Sequence, residues 1–105
     1  MTKWVEVATV GEFANTDRKL VDLGGTLQIG IFKCEDGFFA INAWCSHQKA
    51  TMFHGDVVDH KIECPLHGAQ FCLRTGRNLS LPAVRPVPNY ELKVEQGRIL
   101  IKIGP

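Results

Sequence analysis

The stretch TLQIGIFKCEDGFFAINAW, residues 26–44, indicates the fold class of this chain. Two strand-like apolar runs, Thr26 to Cys34 and Phe38 to Trp44, flank the turn Glu35-Asp36-Gly37. The glycine of that turn tolerates a positive φ, which tight hairpin turns need. The stretch therefore predicts a β-hairpin.

A second hairpin is predicted near the C-terminus. There the runs Tyr90 to Val94 and Ile99 to Ile103 alternate apolar and polar residues on either side of Glu95-Gln96-Gly97-Arg98. No window sustains the spacing of an amphipathic helix for more than about one turn, and Gly11 to Asp17 has room for a single helical turn at most. The chain is predicted to be all-β, with antiparallel sheets.

Length and charge exclude several classes of protein. A chain of 105 residues, 45% hydrophobic and 22% charged, supports one hydrophobic core and cannot hold separate cofactor and substrate domains. Its 12 Lys and Arg residues nearly balance 11 Asp and Glu residues, so nucleic acid is not an expected partner. We find neither a secretory signal nor an apolar run of membrane-spanning length, and we expect a cytoplasmic protein with no membrane partner.

The composition changes between the two hairpins. Residues 45–88 contain all four histidines, three of the four cysteines and four of the five prolines. Proline removes a backbone donor, and its density here argues against a central strand or helix. We predict one domain over residues 1–105, in which a loop-rich segment of about residues 43–88 is inserted into a β base.

Two short pairs of metal-ligating residues lie in this segment. Cys45-Ser46-His47 has the pattern C-x-H, and after sixteen intervening residues Cys64-Pro65-Leu66-His67 has the pattern C-x-x-H. In a reducing compartment such cysteines are ligands or free thiols rather than a disulfide framework. Two thiolates and two imidazoles can hold either a tetrahedral zinc ion or an iron–sulfur cluster with mixed ligands. Both readings stay open on the donor residues alone.

These two loops resemble the Rieske family, in which two cysteines bind one iron of a [2Fe–2S] cluster and two histidines bind the other. The match includes Gly68 directly after the second pair. It extends to other family positions, at Met52, Gly55, Phe71, Thr75-Gly76 and Pro82. The resemblance implies a Rieske fold and one [2Fe–2S] cluster, with Cys45 and Cys64 on the inner iron and His47 and His67 on the outer iron.

The chain departs from the high-potential members of the family at four positions. Ala50 and Leu66 stand where those members carry a disulfide between the two loops, and Ala69 and Phe71 stand where they carry hydroxyl donors to sulfur. Since hydrogen bonds to cluster sulfurs raise the potential, we expect a value near the low end of the Rieske range, about −150 mV.

These departures make the chain similar to the Rieske ferredoxins of bacterial aromatic-ring-hydroxylating dioxygenase systems. Such a protein carries single electrons from an NAD(P)H-dependent flavoprotein reductase to a terminal oxygenase, and is not itself an enzyme with a small-molecule substrate. The cluster loops would form a docking tip with a collar drawn from Gln48, Lys49, Ala50, Leu66, Gly68, Pro82 and Ala83. The alternatives are a Rieske-like small subunit of a reductase, such as nitrite reductase, and a zinc-stabilised interaction domain.

The other four cysteines and histidines are predicted not to be ligands. Cys34 ends one predicted strand and Cys72 follows Phe71 in another, so both are expected to be small packing residues. His54 and His60 lie between the cluster loops and are expected to be exposed or to belong to a hairpin.

Overall fold

The computed structural model describes residues 3–24, 27–44, 51–65, 68–80 and 85–103. Within these ranges the regular structure consists of short strands and one turn of 3₁₀ helix, Val10–Phe13. The strands are β1 (Lys3–Thr9), β2 (Arg18–Asp22), β3 (Gln28–Cys34), β4 (Gly37–Asn42), β5 (Val57–Val58), β6 (Lys61–Glu63), β7 (Gln70–Cys72), β8 (Asn89–Tyr90), β9 (Leu92–Glu95) and β10 (Arg98–Ile103).

The strands form three antiparallel sheets, with the orders β1-β10-β9, β2-β3-β4-β8 and β5-β6-β7. The prediction of an all-β fold is therefore confirmed. Of the residues that the structure describes, no helix is long and apolar enough to cross a membrane.

The first predicted hairpin is present as β3 and β4. Cys34 pairs with Gly37, so the turn itself consists of Glu35 and Asp36. The predicted helical turn is also present, although it begins one residue earlier, at Val10.

The second hairpin differs from the prediction at its first strand. The run Tyr90 to Val94 is not one strand, because Tyr90 belongs to β8 and pairs with Ala40 of the second sheet, whereas β9 begins at Leu92 and pairs with β10 of the first sheet. Between them, Glu91 accepts a hydrogen bond from the backbone N–H of Lys102 at 3.0 Å. The chain thus passes from one sheet to another inside a run whose alternation looks continuous.

The central strands of the second sheet, β3 and β4, are buried on both faces. Ile31 and Ala40 point into a core that they share with β1, β2 and β10, and the neighbouring residues Phe32 and Ile41 point into a second core. Successive residues of a strand face opposite sides of a sheet, so β3 and β4 serve both cores at once. The second core is completed from the middle of the chain by Met52, Ile62, Cys64, Ala69, Phe71, Leu73 and Val87. This shared sheet holds the third sheet in place. The division into one domain with an inserted subdomain stays a prediction.

Candidate metal centre

The residues on either side of the first predicted ligand pair are paired with each other. Trp44 and Thr51 form an isolated antiparallel bridge, and the N–H of Met52 donates to the carbonyl of Ala43 at 2.7 Å. We call residues 43–44 and 51–52 neck 1. The predicted ligands Cys45 and His47 belong to the loop between its two sides and lie outside the described residues.

The second loop has a comparable neck. Glu63 pairs with Gln70 at the end of β6 and β7, and the N–H of Cys64 donates to the carbonyl of Ala69 at 2.7 Å. The carbonyl of Cys64 in turn accepts from the N–H of Gly68 at 3.0 Å, and Gly68 has φ +75°. We call residues 63–64 and 69–70 neck 2. His67, the fourth predicted ligand, lies outside the described residues, as does Leu66.

The two necks lie side by side. Gly55, just beyond neck 1, is packed so closely that an added Cβ would collide with the carbonyl oxygen of Glu63. The N–H of Glu63 donates to the carbonyl of Asp56 at 3.0 Å. Met52 and Cys64, one from each neck, are both buried in the second core. The backbone therefore places neck 1 beside neck 2, and each neck adjoins one of the predicted ligand pairs in the sequence.

A third segment, residues 79–80, contacts neck 2. The N–H of Leu79 donates to the carbonyl of Gln70 at 2.7 Å, and the N–H of Gln70 donates to the hydroxyl of Ser80 at 3.0 Å. Residues 81–84, which include the predicted collar residues Pro82 and Ala83, follow directly and lie outside the described residues.

Cys64 is the one predicted ligand that the structure describes, and its surroundings suit a metal-bound thiolate. The residue has no exposed surface and lies among apolar side chains of the second core. An apolar shell of this kind keeps water away from a bound metal centre. In the part of the chain that the structure describes, no three His, Cys, Asp or Glu residues come together as a metal site, since the other three predicted donors fall outside it. The environment of Cys64 fits the inner-iron position.

Comparison with known proteins decides what kind of site this is. The model of the Rieske [2Fe-2S] domain family matches residues 3–91. The chain belongs to the Rieske [2Fe-2S] domain family. The family implies a single [2Fe–2S] cluster of the Rieske type, and the zinc alternative is set aside. The assignment of the two cysteine–histidine pairs as its ligands stays a prediction.

Three Rieske proteins are similar to this one over most of their length. The 3-phenylpropionate/cinnamic acid dioxygenase ferredoxin subunit of Photorhabdus laumondii is 40% identical over 93% of this chain and 92% of its own. The ferredoxin of carbazole 1,9a-dioxygenase from Nocardioides aromaticivorans IC177 is 33% identical, with a TM-score of 0.85 over 94% of this chain and 96% of its own. A chain from the complex of reduced oxygenase and oxidized ferredoxin in carbazole 1,9a-dioxygenase is 26% identical, with a TM-score of 0.85 over 93% of this chain and 91% of its own.

These relatives are ferredoxins, which are electron carriers and not the catalytic subunits of their systems. The predictions of a Rieske cluster and of an electron-transfer role without catalysis are confirmed. The nitrite reductase alternative has weaker support: a Mycobacterium tuberculosis chain described as an NADH-dependent nitrite reductase small subunit has a TM-score of 0.85 but 24% identity, which shows a common fold alone.

The structure describes the four cysteines and histidines that were predicted not to be ligands. Cys34 ends β3 and packs against the second core, and Cys72 ends β7. His54 is exposed, and His60 lies in the turn between β5 and β6. The positions of Cys34, His54 and His60 agree with the packing, exposed and hairpin positions expected for them. That Cys72 is a packing residue, and that none of the four is a ligand, stays a prediction.

Cys34 and Cys72 differ in the pKa of their thiols. Burial raises the pKa of the Cys34 thiol, and the nearby carboxylates of Asp36 and Asp17 raise it further. Burial also opposes ionisation of Cys72, but hydrogen bonds from the Thr75 hydroxyl and from neighbouring backbone N–H groups outweigh it and lower its pKa.

A polar cluster that joins the β3–β4 turn to the middle of the chain was not predicted from the sequence. Asp36, in the β3–β4 turn, accepts from His60 Nε2 at 2.7 Å and from Arg74 Nη2 at 2.9 Å. The hydrogen bond from His60 and the charge of Arg74 hold the pKa of the Asp36 carboxyl below its ordinary value. His60 and Asp59 both have positive φ, which is uncommon outside glycine. They form the two-residue turn between β5 and β6, and because neither is a glycine, the sequence does not indicate this turn.

Proposed function

We propose that this chain is the ferredoxin of a multicomponent aromatic-ring dioxygenase system. In this role it takes one electron from an NAD(P)H-dependent flavoprotein reductase and delivers it to a terminal oxygenase, in the cytoplasm. The observation that carries the proposal is the 40% identity to a dioxygenase ferredoxin subunit along nearly the whole of both chains. Nucleic acid, a membrane and a small-molecule substrate are not partners in this proposal.

The proposed ligand set is the one that the sequence predicts. Cys45 and Cys64 hold the inner iron, and His47 and His67 hold the outer iron. When bound, the cluster supplies a one-electron redox centre whose histidine-ligated iron is easier to reduce than an all-cysteine site. Two features support this arrangement: the buried apolar position of Cys64, and the adjacent necks that carry one cysteine–histidine pair each.

The proposed partner surface is the tip formed by the two ligand loops. In a related structure, a carbazole dioxygenase ferredoxin is in complex with its oxygenase, which supports a terminal oxygenase as the electron acceptor. Transient redox complexes bury little surface, so a small collar around the ligand loops is sufficient. Of the predicted collar residues the structure describes Gly68, whose positive φ turns the chain back toward neck 2.

The ligand set can be tested with matched substitutions. The dithionite-reduced protein should give a Rieske EPR signal, whose mean g value is lower than that of an all-cysteine [2Fe–2S] ferredoxin measured alongside. Cys64→Ala and His67→Ala should lose the signal and the bound iron, whereas the controls Cys34→Ala and His54→Ala should keep both. Iron and signal that survive in Cys64→Ala would exclude Cys64 as a ligand.

The electron-transfer role can be tested by reconstitution. With a flavoprotein reductase and a terminal oxygenase from one genome neighbourhood, NADH-driven product formation should depend on this chain. The chain should also exchange electrons with the reductase in stopped flow. Stable co-purification with a nitrite reductase large subunit, and no turnover with any oxygenase, would favour the reductase-subunit alternative instead.

The expected potential provides a further check. The positions where high-potential Rieske proteins have hydroxyl donors are Ala69 and Phe71, and both are fully buried here. A potential of about −150 mV is therefore expected, because the reduced cluster lacks those two stabilising hydrogen bonds. Voltammetry that gives a value above zero would contradict this assignment.

A further inference from the structure

One arginine of the β base reaches across to the backbone that connects the two necks. Arg18 begins β2, and its side chain is only 18% exposed. One nitrogen of its guanidinium, Nη1, donates to the carbonyl of Phe53 and to the carbonyl of Gly55, both at 2.7 Å. Those two carbonyls lie directly after neck 1, in the segment of residues 53–55.

The rest of the guanidinium is held so that this nitrogen faces the segment. Nε and Nη2 donate to the two carboxylate oxygens of Asp17 at 2.9 and 3.3 Å. The guanidinium carbon lies 5.3 Å from the centre of the Phe32 ring, and Phe32 belongs to the second core. A planar fork of donors with fixed directions suits this set of acceptors, and a lysine ammonium cannot reproduce it.

The segment that Arg18 holds is clamped from the other side by neck 2. Gly55 lies against the carbonyl oxygen of Glu63, which directly precedes the buried ligand Cys64. The ring of Phe53 packs 6.1 Å from that of Phe32. Residues 53–55 are therefore gripped between the β base and the start of the second ligand loop, a few residues after the first loop ends.

We propose that Arg18 is a positioning residue for the iron–sulfur cluster. By holding the carbonyls of Phe53 and Gly55 it sets the spacing between neck 1 and neck 2, and thereby the separation of the two ligand pairs. The inference rests on the proposed ligand set, because a different set would remove the reason for this spacing to matter.

The test uses the loaded protein and two readouts, the rate at which a strong iron chelator removes the cluster and the EPR linewidth of the reduced protein. Arg18→Met keeps the stem and removes every donor, and it should release the cluster about tenfold faster, as substitutions that disturb ligand positioning do. Its EPR lines should broaden, because the ligand pairs then sample more than one separation. Arg18→Lys should fall between Arg18→Met and the wild type in both readouts.

Two controls separate positioning from general loss of stability. Arg98→Met makes the same substitution at an exposed arginine of β10 that pairs with Glu6, and it should match the wild type. Ile101→Val weakens the core of the β base, away from residues 53–55, and should leave the EPR linewidth unchanged. If Ile101→Val broadens the lines and speeds release as much as Arg18→Met does, Arg18 has no specific positioning role.

The remaining outcomes are also decisive. Wild-type release and linewidth in Arg18→Met would overturn the inference, and if Arg18→Met does not fold, the same result in Arg18→Lys would overturn it. A wild-type protein without a Rieske EPR signal would instead refute the ligand set, so the two failures are distinguishable.

Discussion

Gly76 and Gly97 have the same backbone conformation in different surroundings, and together they separate two costs of adding a side chain. Both have φ +77°. A Cβ at Gly97 meets no heavy atom within 4 Å among the described residues, whereas a Cβ at Gly76 would collide with the carbonyl oxygen of Val87. Alanine at Gly97 therefore brings backbone strain alone, and alanine at Gly76 adds a steric clash.

The strain of an alanine in the left-handed region is about 1 kcal/mol, and we expect that loss for Gly97→Ala. At Gly76 the clashing atom cannot move away freely, since Val87 is buried in the second core and its N–H donates to the Gly76 carbonyl at 2.8 Å. Relief of the clash would add about 1–3 kcal/mol as overpacking and weaken a hydrogen bond that contributes about 1 kcal/mol. We expect a total of about 3 kcal/mol for Gly76→Ala.

Urea unfolding of the loaded protein, followed by tryptophan fluorescence, measures both losses against the wild type under one set of conditions. Gly76→Ala should unfold at a clearly lower urea concentration than Gly97→Ala, with a difference in unfolding free energy of about 2 kcal/mol. Equal midpoints for the two variants would refute the reasoning, because they would show that the Val87 carbonyl does not restrict residue 76.

Three further predictions use other matched positions. Gly55→Ala should reduce the iron and acid-labile sulfide content of the purified protein by displacing neck 2, while Gly11→Ala, which meets no close contact, should not. An alkylating reagent at pH 8 should modify Cys72 faster than Cys34, because the pKa of Cys72 is lowered and that of Cys34 is raised. Peptide mass spectrometry measures the two rates, and the reverse order would contradict this prediction. Asp36→Asn should destabilise the protein at pH 7. Because the pKa of this carboxyl is lower in the folded than in the unfolded protein, the difference in urea midpoint should begin to narrow below about pH 4 and should be lost only as the pH falls through the lowered folded pKa. A difference at pH 3 as large as that at pH 7 would show that the charge of this carboxylate contributes nothing.

The elements that local sequence determines were predictable. The β3–β4 hairpin follows from two apolar runs around Glu35-Asp36-Gly37, and the observed Cys34–Gly37 pairing agrees with it. The alternation from Tyr90 to Val94 correctly indicates extended backbone, but it does not reveal that Tyr90 and Leu92 belong to two strands with different partners. The chain passes from one sheet to the other at Glu91 because of the sheet edges that are available for pairing in the folded protein. The alternation of apolar and polar residues does not contain that information.

The same distinction applies to the site. The ligand motifs are local, so their spacing could be recognised in the sequence. The contacts of Arg18 join residues 35 and 37 positions apart, and those of Asp36 join residues 24 and 38 positions apart. Neither arginine nor aspartate has a sequence pattern that indicates such partners. These contacts exist because β3 and β4, which contribute to both cores, bring the inserted segment against the β base.

The contacts of the two necks indicate which positions around the proposed site tolerate substitution. Each neck is closed by backbone hydrogen bonds, such as Met52 to Ala43 and Cys64 to Ala69, so substitutions in the loops can alter the docking surface without opening the necks. The close approach of Gly55 to neck 2 leaves no room for a side chain. In the proposed role, specificity for one oxygenase or reductase would therefore vary in the loops, while the neck backbone, Gly55 and Arg18 would keep the spacing of the necks. A graft of the loops from a relative with another partner should accordingly change partner preference and leave the EPR linewidth unchanged.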